Sequence, residues 1–465
     1  MFKKNVVLGV VAWTLSMPFA FAQQATPSAT AHWVATWASS QQVPRAGFVR
    51  PAAPPPAAST LAPAPSATTP PAAASPTPPP ATPLATPTAT PLATPPQVRP
   101  ARSFSNQTVR MTVRASIGGG HLRVHLSNAF GTAPLVIGDA HIALHGTDSA
   151  IVPGSDRALT FSGKPTVTIP VGAEMLSDEV ALEVPPLGDL SVSVYVPGDS
   201  GPASTHALGL HTTWISADGD FAGAPELTSP EKTQAWYWVS GVDVEAPVDS
   251  AAIVAFGDSI TDGATSTPDT DRSWPSFLAQ RLTKDPAHSR IAVINQGISG
   301  NKILSDGAGV SALARFDRDV LAPSGVKWLM ILEGINDMNG AARPTPLAPA
   351  VTADDLIAAM KQMVERAHDH GIKVIGCTLT PFGNASETVE AMRQAVNSFI
   401  RTPGNFDAVV DFDKAVQDPA SPRQFRAGFN NTDRLHPNDA GYKAMADAVD
   451  LSLFTEAPPA AKKRK

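Results

Sequence analysis

The sequence contains one cysteine, Cys377, in its 465 residues, so no disulfide can form within the chain. Charged residues make up only 16% of the chain and the net charge is −6, and neither value indicates the basic surface of a nucleic-acid-binding protein. After residue 22, no apolar run is long enough for a membrane-spanning helix. These absences exclude a small disulfide-stabilised scaffold and favour large hydrophobic cores in two or three domains.

The N-terminus has the pattern of a secretory signal peptide. Two lysines precede an apolar stretch at residues 6–21, and the motif Ala-Phe-Ala at residues 20–22 resembles a cleavage site. We expect residues 1–22 to be removed and the protein to be exported, periplasmic or extracellular in a bacterium, because an exported chain without disulfides fits a bacterium best. An uncleaved anchor is the alternative, although the apolar stretch is short.

Proline is abundant, with 46 residues, and it is concentrated with alanine, threonine and serine at residues 46–102. Such a segment cannot form a core, so we predict a disordered linker or insertion with polyproline II character. A docking site for a proline-binding module is the alternative. Residues 32–45 have the alternating aromatic and β-branched pattern of a strand, but the segment is too short to fold alone. We therefore assign it to the folded part downstream. Residues 456–465 are expected to be a disordered basic tail.

Residues 103–245 have strand-like patterns throughout, separated by turn residues, with no long helical period. This pattern predicts a β-rich accessory domain, an all-β sandwich or jelly-roll-like fold. The predicted strands are residues 109–115, 122–126, 134–144, 166–170, 180–184, 190–196 and 236–244. The aromatic triplet Trp236-Tyr237-Trp238 could line a sugar-binding face, but aromatic residues in a strand more often contribute to the core.

Residues 250–455 alternate between apolar strands and amphipathic helices, which predicts an α/β domain with a parallel sheet covered by helices on both faces. The predicted strands are residues 251–256, 291–295, 328–332, 373–378 and 408–412. The predicted helices are residues 274–282, 353–370, 387–400 and 438–453. Cys377 lies in one of these apolar strands and is expected to be a buried structural residue.

Ser259 follows the first of these strands directly, in the sequence Gly257-Asp258-Ser259-Ile260. Ligands and catalytic groups of open α/β sheets lie at the carboxyl ends of the strands, so Ser259 is a candidate nucleophile. A serine alone is a weak nucleophile. It needs a base, a group that orients the base, and donors for an oxyanion.

Three later motifs near strand ends contain these groups. Gly300 can bring a backbone N–H close to a carbonyl, and Asn336 offers a side-chain amide, so with the Ser259 N–H they could form an oxyanion hole. Asp433 and His436 are three residues apart, which allows the carboxylate to orient the imidazole while its other nitrogen faces the serine. The next residue is a proline, which suits the first turn of the following helix.

Together these four motifs resemble the SGNH (GDSL) hydrolase family. The resemblance implies a flavodoxin-like three-layer α/β/α domain over residues 250–455, with no metal and no cofactor. It also implies site residues, with Ser259, Asp433 and His436 catalytic and with Ser259, Gly300 and Asn336 forming the oxyanion hole.

The region upstream is similar to an exported bacterial subgroup in which a β-rich domain precedes the SGNH domain, and some members of that subgroup act on acetylated xylan. The similar motifs begin at Trp33, Gln107, Arg123 and Leu176. We therefore expect a serine esterase for short acyl groups on polysaccharide or a related small-molecule ester, with no nucleic-acid partner. A lipase, phospholipase or thioesterase of the same fold is one alternative. A carbohydrate-binding module with a vestigial hydrolase domain is another. The oligomeric state stays open.

Overall fold

The computed structural model describes residues 31–44, 101–341 and 350–455. The predicted signal peptide, the basic tail and all but the last two residues of the proline-rich segment lie outside these ranges. No helix in the described ranges is both long enough and apolar enough to cross a membrane.

The described residues before position 250 form β-strands that include all the predicted ones, together with others that the sequence did not predict. They are β1 (Ala31–Ala38), β2 (Gln107–Arg114), β3 (Gly119–Ser127), β4 (Leu135–Ile137), β5 (Asp139–Leu144), β6 (Arg157–Ala158), β7 (Val167–Ile169), β8 (Glu174–Leu176), β9 (Val180–Val184), β10 (Asp189–Val196), β11 (Thr205–His206), β12 (Thr213–Asp218), β13 (Glu231–Thr233), β14 (Trp236–Tyr237) and β15 (Val239–Pro247). The strand predicted at residues 134–144 is divided into β4 and β5 at Gly138, which packs against the Tyr195 ring.

Two antiparallel sheets make up most of this region. One has the order β1-β15-β3-β8, with β9 also paired to β3, and the other has the order β13-β12-β2-β10-β5-β6. Apolar residues of both sheets, among them Val34, Met111, Val124 and Val192, belong to one buried cluster. The region is therefore a β-sandwich, which confirms the predicted all-β fold.

Trp236, Tyr237 and Trp238 are all buried. The Trp236 ring packs edge-on against Trp37, and its indole N–H donates to the Thr112 carbonyl over 2.9 Å. These three aromatic residues therefore belong to the core of the sandwich and do not present a sugar-binding face.

The second half of the chain is an α/β domain. Its strands are β16 (Ala251–Gly257), β17 (Ile291–Gly297), β18 (Val326–Leu332), β19 (Lys373–Cys377), β20 (Ala408–Val410), β21 (Gln417–Asp418) and β22 (Ser421–Phe425). Its helices are α1 (Ser259–Asp262), α2 (Trp274–Lys284), α3 (Ala312–Phe316), α4 (Ile335–Ala341), α5 (Ala353–Asp369), α6 (Glu387–Arg401), α7 (Phe412–Val416) and α8 (Asp439–Asp447). A π-helical turn at Asp317–Leu321 follows α3, and a 3-10 turn at Leu451–Phe454 follows α8.

The last predicted helix, residues 438–453, is shorter than expected. It stops at Asp447, and Asp450 caps the separate 3-10 turn by accepting a hydrogen bond from the Ser452 N–H. An aspartate that caps a new turn cannot also continue the preceding helix, because its backbone is extended there.

The parallel sheet has the order β17-β16-β18-β19-β20 and is flanked by helices, which confirms the predicted three-layer α/β/α architecture. The interior strand β16 is buried along all seven residues, in agreement with its continuous apolar sequence. Strands β17 and β18 pair with β16 on its two sides in parallel register. The loops after these three strands therefore meet at one edge of the sheet.

The sandwich packs directly on the α/β domain. Strand β1 lies against β17, and the Ala35 N–H donates to the Ser324 carbonyl over 2.9 Å. The Val293 N–H donates to Ser116 Oγ over 2.8 Å, and Ala252 and Ala292 of the parallel sheet belong to the buried cluster of the sandwich. The two regions therefore share a continuous buried interface.

Candidate active site

Ser259 lies where β16 ends and the one-turn helix α1 begins. Asp258 caps this turn by accepting a hydrogen bond from the Ile260 N–H over 3.0 Å. A Cβ at Gly257 would overlap the Leu332 carbonyl oxygen and the Thr261 side chain, so only glycine fits there. This tight turn holds the serine at the carboxyl end of β16.

Ser259, His436 and Asp433 form a continuous chain of hydrogen bonds. Ser259 Oγ lies 2.8 Å from His436 Nε2, and His436 Nδ1 lies 2.7 Å from Asp433 Oδ2. Because the carboxylate accepts a hydrogen bond from the Nδ1–H group, Nε2 is free to accept the serine proton. The structure therefore brings together the three residues that the sequence predicted to be catalytic.

The Asp433 carboxylate is held by the backbone of its own turn. Its Oδ1 accepts the N–H groups of Leu435 and His436, each over 3.1 Å. Burial raises the pKa of Asp433, but the hydrogen bonds from the His436 ring and from these backbone groups outweigh it, and the pKa lies below its ordinary value. Asp433 therefore stays ionised and can hold the imidazole in one orientation.

The helix after this turn begins later than predicted. Asn438 caps α8 by accepting the N–H groups of Ala440 and Gly441. Pro437 therefore lies before the cap and not in the first turn of the helix. The extended backbone at Asn438 separates the His436 turn from the helix.

The other two predicted oxyanion donors lie at the same edge of the sheet as Ser259. Gly300 follows β17 with a positive φ of 79°, and Asn336 lies in α4, directly after β18. The Asn336 side-chain amide donates to the Asn301 carbonyl over 2.9 Å, next to Gly300. The Ile298 N–H in turn donates to the Gly257 carbonyl over 3.0 Å. Hydrogen bonds thus connect all three loops.

Sequence reasoning missed Arg315, which is fully buried beneath these loops. Its guanidinium lies over the Phe256 ring at 4.0 Å. It donates to Gly257 O (2.9 Å), Gln296 O (2.6 Å), Asn301 Oδ1 (2.8 Å), Ser40 Oγ (3.0 Å) and Asp319 Oδ2 (3.1 Å). Arg315 therefore joins the loops that contain Ser259 and Gly300 to the segment after β1.

Two buried carboxyl groups lie near Arg315. Burial raises the pKa of Asp258 to about 7, and burial together with the nearby Asp258 raises the pKa of Glu333 well above its ordinary value. Arg315 lies 3.6 Å from Glu333 and acts in the opposite direction. A raised pKa favours the neutral form of each carboxyl group, and the neutral form places less negative charge beneath the site.

Among the described residues, three side chains with the spacing of a metal site are His121, Glu179 and Glu245. They lie in the β-sandwich region, away from Ser259, where the His121 ring is 3.7 Å from the Glu179 carboxylate and 3.2 Å from that of Glu245. No similar cluster of three His, Cys, Asp or Glu side chains occurs around Ser259 within the described ranges.

Comparison with known proteins agrees with this geometry. Residues 253–449 match the family described as GDSL-like lipase/acylhydrolase. No curated protein gave a significant match.

Similar solved structures include a protein assigned to the lipolytic G-D-S-L family from Desulfitobacterium hafniense DCB-2 (26% identity over 43% of this chain and 97% of that chain, TM-score 0.34). They also include an acetylxylan esterase from Geobacillus stearothermophilus (25% identity over 43% and 91%, TM-score 0.34) and a GDSL-like lipase from Bacteroides thetaiotaomicron (21% identity over 42% and 84%, TM-score 0.32). The family match identifies residues 253–449 as a GDSL-like lipase/acylhydrolase domain, which supports a carboxylic ester hydrolase.

Proposed function

We propose that Ser259 is the nucleophile of this hydrolase, that His436 is its general base, and that Asp433 orients the base. The observation that carries this proposal is the hydrogen-bonded chain of 2.8 Å and 2.7 Å through these residues. We also propose that the backbone N–H groups of Ser259 and Gly300 and the side chain of Asn336 bind the oxyanion. The substrates are short acyl esters, acetyl esters above all, carried by a polysaccharide.

In this mechanism His436 Nε2 takes the proton from Ser259 as Oγ attacks the ester carbonyl. The carbonyl oxygen becomes an oxyanion and the three N–H donors stabilise it. His436 then gives the proton to the leaving alcohol, and an acyl-enzyme remains. Water attacks the acyl-enzyme with His436 again as base, which releases the acid and restores Ser259.

The residues around His436 favour an ester whose alcohol part is polar. The side chain of Asp433 is 38% exposed, so the His436–Asp433 pair is accessible to solvent. Asn384 donates to the Asp433 carbonyl over 3.2 Å, Gln424 donates to the Gly383 carbonyl over 3.3 Å, and Arg434 is exposed between them. A polar rim of this kind suits a hydroxyl-rich carbohydrate better than a long acyl chain, which needs an apolar channel.

The proposal includes the organisation of the chain. Residues 250–455 are the catalytic domain, residues 103–245 with 32–45 are the accessory β-domain, and export follows removal of residues 1–22. A protein located outside the cytoplasm would meet polysaccharide esters directly.

Acyl-chain selectivity tests the proposed substrate class. Across p-nitrophenyl esters from acetate to palmitate, kcat/KM should be highest for acetate and fall at least about tenfold by octanoate, because the rim side chains Asn384, Gln424 and Arg434 are polar. Acetate release from acetylated xylan should accompany this preference. A maximum at long chains would instead identify a lipase, and xylan binding without ester turnover would identify a binding module.

The oxyanion role of Asn336 is tested by Asn336→Ala. The variant should lose about 10²–10³-fold in kcat with little change in KM, because the amide acts on charge that develops only in the transition state. Asn405→Ala is the matched control, since the Asn405 amide also donates to a backbone carbonyl, that of Phe399, before β20 at the opposite edge of the sheet. Equal kcat values for the two variants would remove Asn336 from the oxyanion hole.

A further inference from the structure

The β-sandwich places one side chain directly against the nucleophile turn. His206, in β11, is buried, and its Nε2 lies 3.0 Å from Oδ1 of Asp262, the last residue of α1. Its Nδ1 lies 2.9 Å from the Ser40 carbonyl oxygen. His206 therefore connects the segment after β1 to the helical turn that begins with Ser259.

Asp262 extends this connection to the loop that contains Gly300. Its Oδ2 accepts both the N–H (2.7 Å) and the hydroxyl (2.6 Å) of Ser299. The loop approaches α1 so closely that a Cβ at Gly297 would overlap the Asp262 backbone. Because Gly300 follows Ser299 directly, we expect a shift of Asp262 to move the Gly300 N–H.

His206 can satisfy both of its partners only as an imidazolium. A carbonyl oxygen and a carboxylate both accept hydrogen bonds, so both ring nitrogens must carry a proton. Burial lowers the pKa of His206, but the Asp262 charge and the hydrogen bonds from both sides outweigh it, and the pKa lies above its ordinary value. A buried charge pair of this kind has a fixed geometry, since any rotation of either group leaves a charge unpaired.

We propose that His206 is a positioning residue through which the β-sandwich fixes the oxyanion hole, with Asp262 and Ser299 as the connection to the Gly300 N–H. This inference rests on the proposed function of Gly300. It gives the sandwich a part in catalysis that does not require it to touch the substrate.

Two amide substitutions separate the two contacts of His206. A glutamine amide nitrogen occupies nearly the position of Nε2 and can still donate to Asp262, whereas an asparagine nitrogen corresponds to Nδ1 and can reach only the Ser40 carbonyl. His206→Asn should therefore lower kcat for p-nitrophenyl acetate about tenfold to a hundredfold with KM nearly unchanged. His206→Gln should recover most of the lost activity.

His141→Asn is the matched control for loss of a charged contact. His141 also lies between two carboxylates, Asp156 at 2.9 Å and Asp139 at 3.2 Å, but all three residues belong to the sandwich. This variant should keep its kcat. Equal losses in His206→Asn, His206→Gln and His141→Asn would show a general effect of destabilisation and overturn the proposal.

A double variant tests whether His206 acts through Asp262. Asp262→Ala should reduce kcat by itself, and adding His206→Asn to it should cause less than about twofold further loss, because the connection is already broken. If the fold-loss of kcat in the double variant equals the product of the losses in the two single variants, His206 acts by another route and the proposal is wrong.

Amide hydrogen exchange gives a measurement that does not depend on turnover. Exchange in a peptide covering residues 298–302 should be faster in His206→Asn than in the wild-type protein and unchanged in His141→Asn. Unchanged exchange in His206→Asn would overturn the proposal even if esterase activity is present. If exchange is faster in His206→Asn but the wild-type protein has no esterase activity, the connection from His206 to the loop that contains Gly300 is supported. The proposed function is then rejected.

Discussion

Replacement of Ser259 by alanine is expected to reduce kcat for p-nitrophenyl acetate by about 10⁴-fold or more, because no other group can form the acyl-enzyme. The side chain lost is one hydroxyl, whose partner His436 keeps its hydrogen bond to Asp433. The variant should therefore fold normally, and its thermal midpoint should stay within a few degrees of the wild-type value. Steady-state kinetics and a thermal melt on the same preparation measure both.

Ser250→Ala is the control for this substitution. Ser250 is buried directly before β16, and its Oγ has no hydrogen-bond partner among the described residues. It lies at the opposite end of the same strand from Ser259, so its loss should leave kcat unchanged. Ester hydrolysis by Ser259→Ala at more than about one percent of the wild-type rate would contradict the proposed nucleophile.

Replacement of Arg315 by methionine should lower the free energy of unfolding by about 3–5 kcal/mol. Methionine fills a similar apolar volume, but it removes the buried donors to the Gly257 and Gln296 carbonyls and leaves the buried Asp319 with Arg318 as its remaining cation. Urea denaturation measures the loss. The same variant should also have a reduced kcat, because the loops that contain Ser259 and Gly300 lose their common support.

Arg290→Met provides the comparison for an exposed ion pair. Arg290 pairs with Asp249, and the two side chains are 57% and 61% exposed, so its loss should change the free energy of unfolding by less than about 1 kcal/mol. If Arg315→Met also changed the free energy of unfolding by less than about 1 kcal/mol, the buried guanidinium would be a replaceable packing group and not the support of the site.

The sequence predicted the fold well where a local pattern carries the information. The apolar run of β16 and the alternating residues of β2 and β10 gave strand positions within a few residues, because burial on one or both faces requires those patterns. Ser259, Asp433 and His436 were found for a similar reason, since each lies in a short motif next to a strand or helix boundary.

Contacts between distant segments could not be predicted in this way. The only local sign of Arg315 is its spacing of four residues from Asp319, which also occurs in exposed helical ion pairs. Nothing near His206 in the sequence points to Asp262, because the two residues meet only when the sandwich packs on the parallel sheet. Buried charges acquire their partners from tertiary structure, and a single sequence does not reveal those pairs.

The position of β1 has a consequence for how the chain folds. Residue Ala31 pairs with Pro247, so the first described strand has no partner until nearly all of the sandwich has been synthesised. Closing such a long loop is entropically unfavourable and slow, which makes this step a late one in folding. Because β1 also packs against β17, a strand that is synthesised before the rest of the sandwich reaches its native place only after both β15 and β17 are present.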